Sequence, residues 1–234
     1  MQTWEAIRSR RDVRSFEDRP IPADHLDEIL EAGRRSPSSQ NWQPWDFVVV
    51  TERERLVKLA QTWQGAGHVA HSAATVALVA SPPEQERRRG TLYYDLGQAT
   101  MSIMLAAAGL GIGSGHSSVG DQDLAREVLG LPDDKFCAYM ISLGYPADRP
   151  LSLIRRPDRR PFDEVVHREH WYRLCCLGGT IPPRPPCLRG AARPPCPLVR
   201  SPGRWWLASG GRSRSAAGPA CRAAGACGPS ANLD

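Results

Sequence analysis

Apolar positions first recur at Trp4 and Ile7, a spacing that predicts a short opening helix running into a basic cluster. Phe16 and Pro20 then mark an extended crossing. Leu26, Ile29, Leu30 and Gly33 fall at i, i+3, i+4 and i+7, with Asp24, Asp27, Glu28 and Glu31 opposite and Arg34 and Arg35 at the end. This is an amphipathic helix with charges that suit its dipole. Ser36 to Trp45 is a polar loop whose two prolines exclude regular helix. Phe47-Val48-Val49-Val50 and Thr75 to Ala80 read as buried strands, with a helix over Glu52 to Ala60 and a break at Gly65-Ala66-Gly67-His68 between them. Glu84 to Arg89 reads as a solvated turn. Tyr94 to Leu110 is apolar on nearly every side, which predicts a helix buried almost all round and a second copy of the chain as part of its cover. Gly109 to His116 reads as a glycine-rich turn, and Asp121 caps a short helix through Leu129. Phe136 to Leu143 is a third strand, ended by Gly144-Tyr145-Pro146. A basic, proline-spaced loop covers 147–160, and order resumes at Pro161 to Val166 and closes at His170-Trp171. Strands alternate with helices without a fixed repeat, which by itself reads as one α/β-type domain.

Composition divides the chain at the same place. Residues 1–171 hold 21 Lys and Arg against 24 Asp and Glu, a net charge of −3. Residues 172–234 hold nine Arg, no Lys and a single acid, Asp234, a net charge of +8. The overall +5 is therefore a property of the tail and does not point the first 171 residues toward nucleic acid. Ten Pro and nine Gly in those last 63 residues leave too little apolar surface to offset ordering, so the tail is expected to be disordered. Its Arg/Pro/Ala/Gly/Cys bias is what an out-of-frame reading of GC-rich coding sequence would give. Six of the seven cysteines lie there, with no C-x-x-C pair and no neighbouring histidine, which disfavours zinc. The single Cys137 of the first part suits a reducing compartment. No signal region and no long apolar span is seen, so the expectation is a soluble, cytoplasmic protein.

The chemistry concentrates in three segments. Arg8-Ser9-Arg10-Arg11-Asp12-Val13-Arg14 packs four arginines into seven residues. On a helix end or tight turn, Arg10 and Arg14 would share a face. The cluster is then either a solvated basic face or a pair of guanidinium forks for a phosphate or carboxylate. The second segment is Ser36-Pro37-Ser38-Ser39-Gln40-Asn41-Trp42-Gln43-Pro44-Trp45, and the third is Gly144-Tyr145-Pro146 followed by Arg159-Arg160-Pro161-Phe162-Asp163-Glu164-Val165. In this order and at these separations they resemble the flavin-dependent nitroreductase family, over about residues 1–171 and none of the tail.

The resemblance implies an α+β sandwich, a small central sheet flanked by helices, built as an intertwined homodimer with FMN at the interface. It assigns Arg10, Arg11, Asp12 and Arg14 to the FMN phosphate and ribityl chain. Ser38, Ser39, Asn41 and Gln43 would approach the flavin from the partner subunit, with local turn stabilisation as the plainer role. Gly113, Ser114 and Gly115 would bring backbone amides near the ring, and Arg159, or Arg160 in the alternative register, would supply a late phosphate contact. His68 and His116 are candidates for the substrate pocket, and surface histidines otherwise. The implied chemistry is hydride transfer from NADH or NADPH through flavin N5 to an electron-poor acceptor such as a nitroaromatic or quinone. No metal is implied. Asp12 departs from the serine usual in the family. The segment Arg10-Arg11-Asp12-Val13-Arg14 also looks like the branch that fragments FMN with oxygen to make dimethylbenzimidazole, although the aromatic-x-Ser of that branch is missing after Gly115. A non-catalytic flavin-binding protein is a further alternative, and weak nucleic-acid binding by the tail a third.

Overall fold

The computed structural model describes residues 2–171. The expectations for residues 172–234 lie outside the described residues. The chain runs through α1 (Thr3–Ser9), α2 (Ala23–Arg34), β1 (Asp46–Val50), α3 (Arg53–Ala60), β2 (Ala74–Ala80), α4 (Arg89–Gly109), β3 (Gly113–Ser118), α5 (Gln122–Leu129), β4 (Phe136–Gly144) and α6 (Phe162–Val165). The α4 helix begins five residues before Tyr94. A 3-10 turn at Glu86–Arg88 leads straight into it, and an Arg89–Glu86 ion pair of 3.3 Å spans the junction.

The strands form one sheet in the order β1-β2-β4-β3, and every ladder is antiparallel. The α/β reading from alternation is thereby overturned. Alternation specifies what separates two strands along the chain and leaves the direction of each return open. The architecture is α+β, a small sheet between helices.

Central β2 is buried along its whole length, and its side chains alternate between two cores. Val76, Leu78 and Ala80 meet Ile29 of α2, Leu92, Leu96 and Ile103 of α4, and Ile141 and Leu143 of β4. Ala77 and Val79 meet Leu56 and Leu59 of α3, Ala125 and Val128 of α5, and Cys137 and Met140 of β4. Burial pushes the Cys137 thiol up to about 12, so it behaves as a small core residue. Helix α5 is capped by Asp121, whose carboxylate accepts the Leu124 amide at 2.9 Å. Among the described residues no helix is long and apolar enough to cross a membrane.

Two departures from expectation bear on the site. Gly113-Ser114-Gly115-His116 is an edge strand and not a turn. It pairs with β4 from Gly113↔Gly144 to Ser118↔Tyr139. Its sequence lacks the β-branched residues that mark strands, because the segment carrying Val13 crosses its outer side too closely for side chains. A Cβ at Gly115 would stand 2.5 Å from the Val13 carbonyl oxygen, and one at Gly113 would stand 2.7 Å from Val13 Cγ2. The second departure is α4, which is not buried all round within the chain. Tyr94 (67% exposed), Gly97 and Met101 (43%) form an open strip along it.

Gly115→Val is expected to force the Val13 backbone off β3 and destabilise the fold by about 1–3 kcal/mol, the usual range for overpacking. Urea unfolding of the variant beside the parent protein measures this.

Candidate functional site

The arginine cluster is built by the end of α1. The helix stops at Ser9, and its cap Arg10 is already extended, with φ −61° and ψ 130°. The following residues stay extended: Asp12 bridges Ser114 in parallel, and the Val13 amide donates to the Ser114 carbonyl at 2.9 Å. Arg10 and Arg14 therefore share no helix face, and the segment follows strand geometry. A period of two places Arg10, Asp12 and Arg14 on one side and Arg11 and Val13 on the other.

The individual side chains follow that division. Val13 is fully buried. Arg11 turns toward the loop after β4, donating to the Asp148 carboxylate at 2.6 Å and the Arg149 carbonyl at 2.7 Å. That guanidinium holds the Asp148 carboxyl below its ordinary range. Arg11 thus spends its charge inside the chain, fastening the 147–160 loop. The same loop is tied to the end of α1 by the Ile154 amide, which donates to the Arg8 carbonyl at 2.9 Å. Asp12 is balanced: its carboxylate lies 3.4 Å from Arg10 and 3.8 Å from His116 Nδ1. Arg10 also rests on α4, with Nη1 4.0 Å from Met104 Sδ. Arg14 is exposed and makes no hydrogen bond or ion pair with another described residue.

His68, on the 3-10 turn Gly67–His71, packs beside Gly115 and is 7% exposed. Burial, and then the Arg14 charge, hold its pKa below the ordinary 6.5. Its Nε2 is buried without a partner among the described residues. His116 is half exposed beside Asp12. The structure therefore brings Arg10, Asp12, Arg14, Ser114, Gly115, His68 and His116 into one neighbourhood.

The loop at 38–43 stands elsewhere, against a different side of α4. Gln40 (φ 54°), Asn41 (φ 57°) and Gln43 (φ 50°) all occupy the left-handed region. Non-glycine residues seldom do so, and such conformations cluster at functional sites. The Ser38 hydroxyl oxygen accepts the Gln43 amide at 2.8 Å, and Ser39 is bound to Asp95 of α4. Asp95 was missed in the sequence. Its signal was there: it is the only acid between Arg89 and Gly109, in the most apolar of the described helices.

Arg159 and Arg160 form no hydrogen bond or ion pair with the cluster among the described residues. Arg160 pairs with Glu164 of α6 at 3.5 Å, whereas the Arg159 guanidinium bonds only the carbonyl of Asp158, at 2.6 Å.

The Nitroreductase family model matches residues 7–145, from within α1 through the end of the sheet. The chain belongs to the nitroreductase family. A protein of Archaeoglobus fulgidus named "Putative NADH dehydrogenase/NAD(P)H nitroreductase" is 34% identical over 169 residues, covering 70% of this chain and 96% of its own. Among solved structures, a nitroreductase family protein from Clostridium difficile superposes with a TM-score of 0.64 at 24% identity, covering 73% of this chain and 100% of that one. The NADPH:FMN oxidoreductase of Vibrio harveyi, solved with NAD+, superposes with a TM-score of 0.61 at 25% identity, covering 74% and 79%. This nitroreductase-family chain is thus an oxidoreductase by kinship, with its described part spanning the shared fold.

The lowered pKa of His68 carries a sign that can be checked. The unfolded chain binds the proton more readily than the folded one, so stability is complete above about pH 7 and declines as pH falls through 6.5 toward the folded value. Unfolding free energies measured from pH 8 to pH 5 are expected to fall in the parent protein, and to fall less steeply in His68→Gln.

Proposed function

We propose that this protein is an FMN-dependent oxidoreductase that takes hydride from NADH or NADPH and delivers it to an electron-poor small molecule, a nitroaromatic or a quinone, and that it works as a homodimer. The observation that carries the reading is the placement of two polar half-sites around α4. Arg10 rests on Met104, while the serine loop is held by Asp95 and, through a 2.8 Å bond from Ser36, by Ser102. At about 100° and 1.5 Å per residue, Asp95 and Met104 lie about 180° apart around α4 and about 13 Å apart along it. One chain cannot close both half-sites on one ligand. The exposed strip Tyr94, Gly97 and Met101 runs between the two flanks. A second copy seated on that strip covers an apolar surface and borders both flanks at once.

The chain's own groups suit FMN. Arg14 has unspent donors for a phosphate that carries about two negative charges near neutral pH. Arg10, on the same side of the extended segment, has its charge partly met by Asp12. Of the two late arginines, Arg159 is the one without a carboxylate partner among the described residues, and it is the better candidate for a phosphate contact. His68 offers a buried ring nitrogen, unpartnered among the described residues, beside Gly115, and His116 stands next to Asp12. Ser38, Asn41 and Gln43 are small polar groups on a loop held rigid from behind. When bound, FMN supplies the redox chemistry, accepting a hydride and returning it to the second substrate. The residues bind, orient and set the electrostatics of the ring; none is required as acid or base. The relatives support the reading: the Archaeoglobus fulgidus protein is named "Putative NADH dehydrogenase/NAD(P)H nitroreductase", and the Vibrio harveyi one is an NADPH:FMN oxidoreductase solved with NAD+.

The purified protein loaded with FMN is expected to absorb in the blue and to oxidise NADH or NADPH only when a nitrofuran or quinone is present. Absence of turnover by an FMN-loaded dimer sinks the proposal, and oxygen-dependent loss of the flavin spectrum after reduction points instead to flavin fragmentation. Arg14→Ala is expected to weaken FMN binding about 10- to 100-fold, the size of a lost charge-assisted bond. Titration by quenching of flavin fluorescence measures it.

A further inference from the structure

We propose that Asp95 is the positioning residue of the 38–43 loop, and that it divides the work of the two adjacent serines, making Ser39 the anchor and Ser38 the donor toward the cofactor. The proposal rests on the FMN reading above.

Asp95 is fully buried in α4. Its two carboxylate oxygens accept the Ser39 amide at 3.2 and 3.1 Å, and Oδ1 also accepts the Ser39 hydroxyl at 3.2 Å and the Gln98 amide nitrogen at 3.3 Å. Among the described residues it forms no ion pair. A carboxylate withdrawn from water without a cation is costly unless donors converge on it. Here the donors come chiefly from one residue of one loop, so the cost is met only while the loop stays in place. That loop is difficult to hold by itself, since three of its residues are left-handed and non-glycine. Asp95 pins its start. The Ser36–Ser102 hydroxyl bond at 2.8 Å pins the segment before it, and the Gln43 amide closes back on Ser38 at 2.8 Å.

Counting hydrogens separates the serines. Ser39 gives its hydroxyl hydrogen to Asp95, so toward a ligand its oxygen can only accept. Ser38 uses its oxygen to accept from Gln43, and its hydroxyl hydrogen goes to no described residue. The carbonyl oxygens of a flavin ring need donors. Ser38 can serve them and Ser39 cannot, although the sequence presents the two as equivalent.

The test uses the full chain with and without FMN. Asp95→Asn, which removes one acceptor, is expected to weaken FMN binding about tenfold. It is also expected to speed hydrogen exchange at the Ser39 and Gln43 amides in the cofactor-free protein. Ser39→Ala is expected to weaken binding a few-fold and to add little on top of Asp95→Asn, because the two changes break one contact. Ser38→Ala is expected to weaken binding about tenfold while leaving exchange at the Ser39 amide unchanged. Ser38→Ala binding FMN like the parent, fully additive losses for Asp95→Asn and Ser39→Ala, or loop exchange unmoved by Asp95→Asn would each overturn the proposal. If Asp95→Asn does not fold, the serine variants still decide: Ser39→Ala is expected to speed exchange at the Ser39 amide, whereas Ser38→Ala leaves it unchanged. If the parent protein takes up no FMN, the cofactor reading fails, whereas the exchange measurements judge the anchoring role of Asp95 without it.

Discussion

The close approach of the Val13 backbone to strand β3 is the constraint on which the arginine site depends. The approach requires glycine at 113 and 115, and it fixes the extended conformation of residues 10–14 through the bridge to Ser114. From that conformation the rest follows by alternation. Val13 fills the interior, Arg11 reaches back to bind the loop beyond β4, and Arg10, Asp12 and Arg14 are left facing one way. An acid between two arginines then reads as local charge balance. The Arg10–Asp12 pair is 3.4 Å apart and partly exposed, so it moderates the cluster's field without cancelling it.

Helix α4 imposes the second constraint, since it serves three masters around its circumference. One side supplies Leu92, Leu96 and Ile103 to the core beneath the sheet. A second holds the serine loop through Asp95 and Ser102, and a third supports Arg10 through Met104. The remaining side is the apolar strip of Tyr94 and Met101. Because a helix is a rigid rod over this length, a displacement of α4 would move both half-sites together.

Much of this was legible in the residues. Hydrophobic spacing gave α2, α3, α5 and strands β1, β2 and β4 to within a residue or two, because those elements bury a periodic face. Strand β3 was not legible. Its Gly-Ser-Gly sequence is dictated by a tertiary approach from Val13, a contact spanning about a hundred residues of chain, and local pattern carries no trace of it. The register of the arginines failed for a related reason: a basic run continues a helix as readily as it leaves one, and the bridge to Ser114 decides. Strand direction was also beyond alternation. The residue types and segments that resemble the family do assemble into two polar clusters, yet nothing in the spacing said that Arg11 would be consumed by Asp148 or that Ser39 would turn inward to Asp95.

The division of the polar residues between opposite sides of α4 has a thermodynamic consequence for the proposed dimer. A ligand touched by the arginines of one copy and the serine loop of the other binds only the assembled state, and therefore stabilises assembly in proportion to its own affinity. Reciprocally, whatever holds the two strips together raises ligand affinity by the same factor. The apolar strip is what makes the coupling workable. In such a dimer it would supply contact energy independent of the ligand, so that the half-sites would be in register before the cofactor arrives. The rigid, left-handed loop serves the same end: its strain is met within each subunit by Asp95 and the Ser38–Gln43 closure, and little of the binding free energy has to be spent on ordering it.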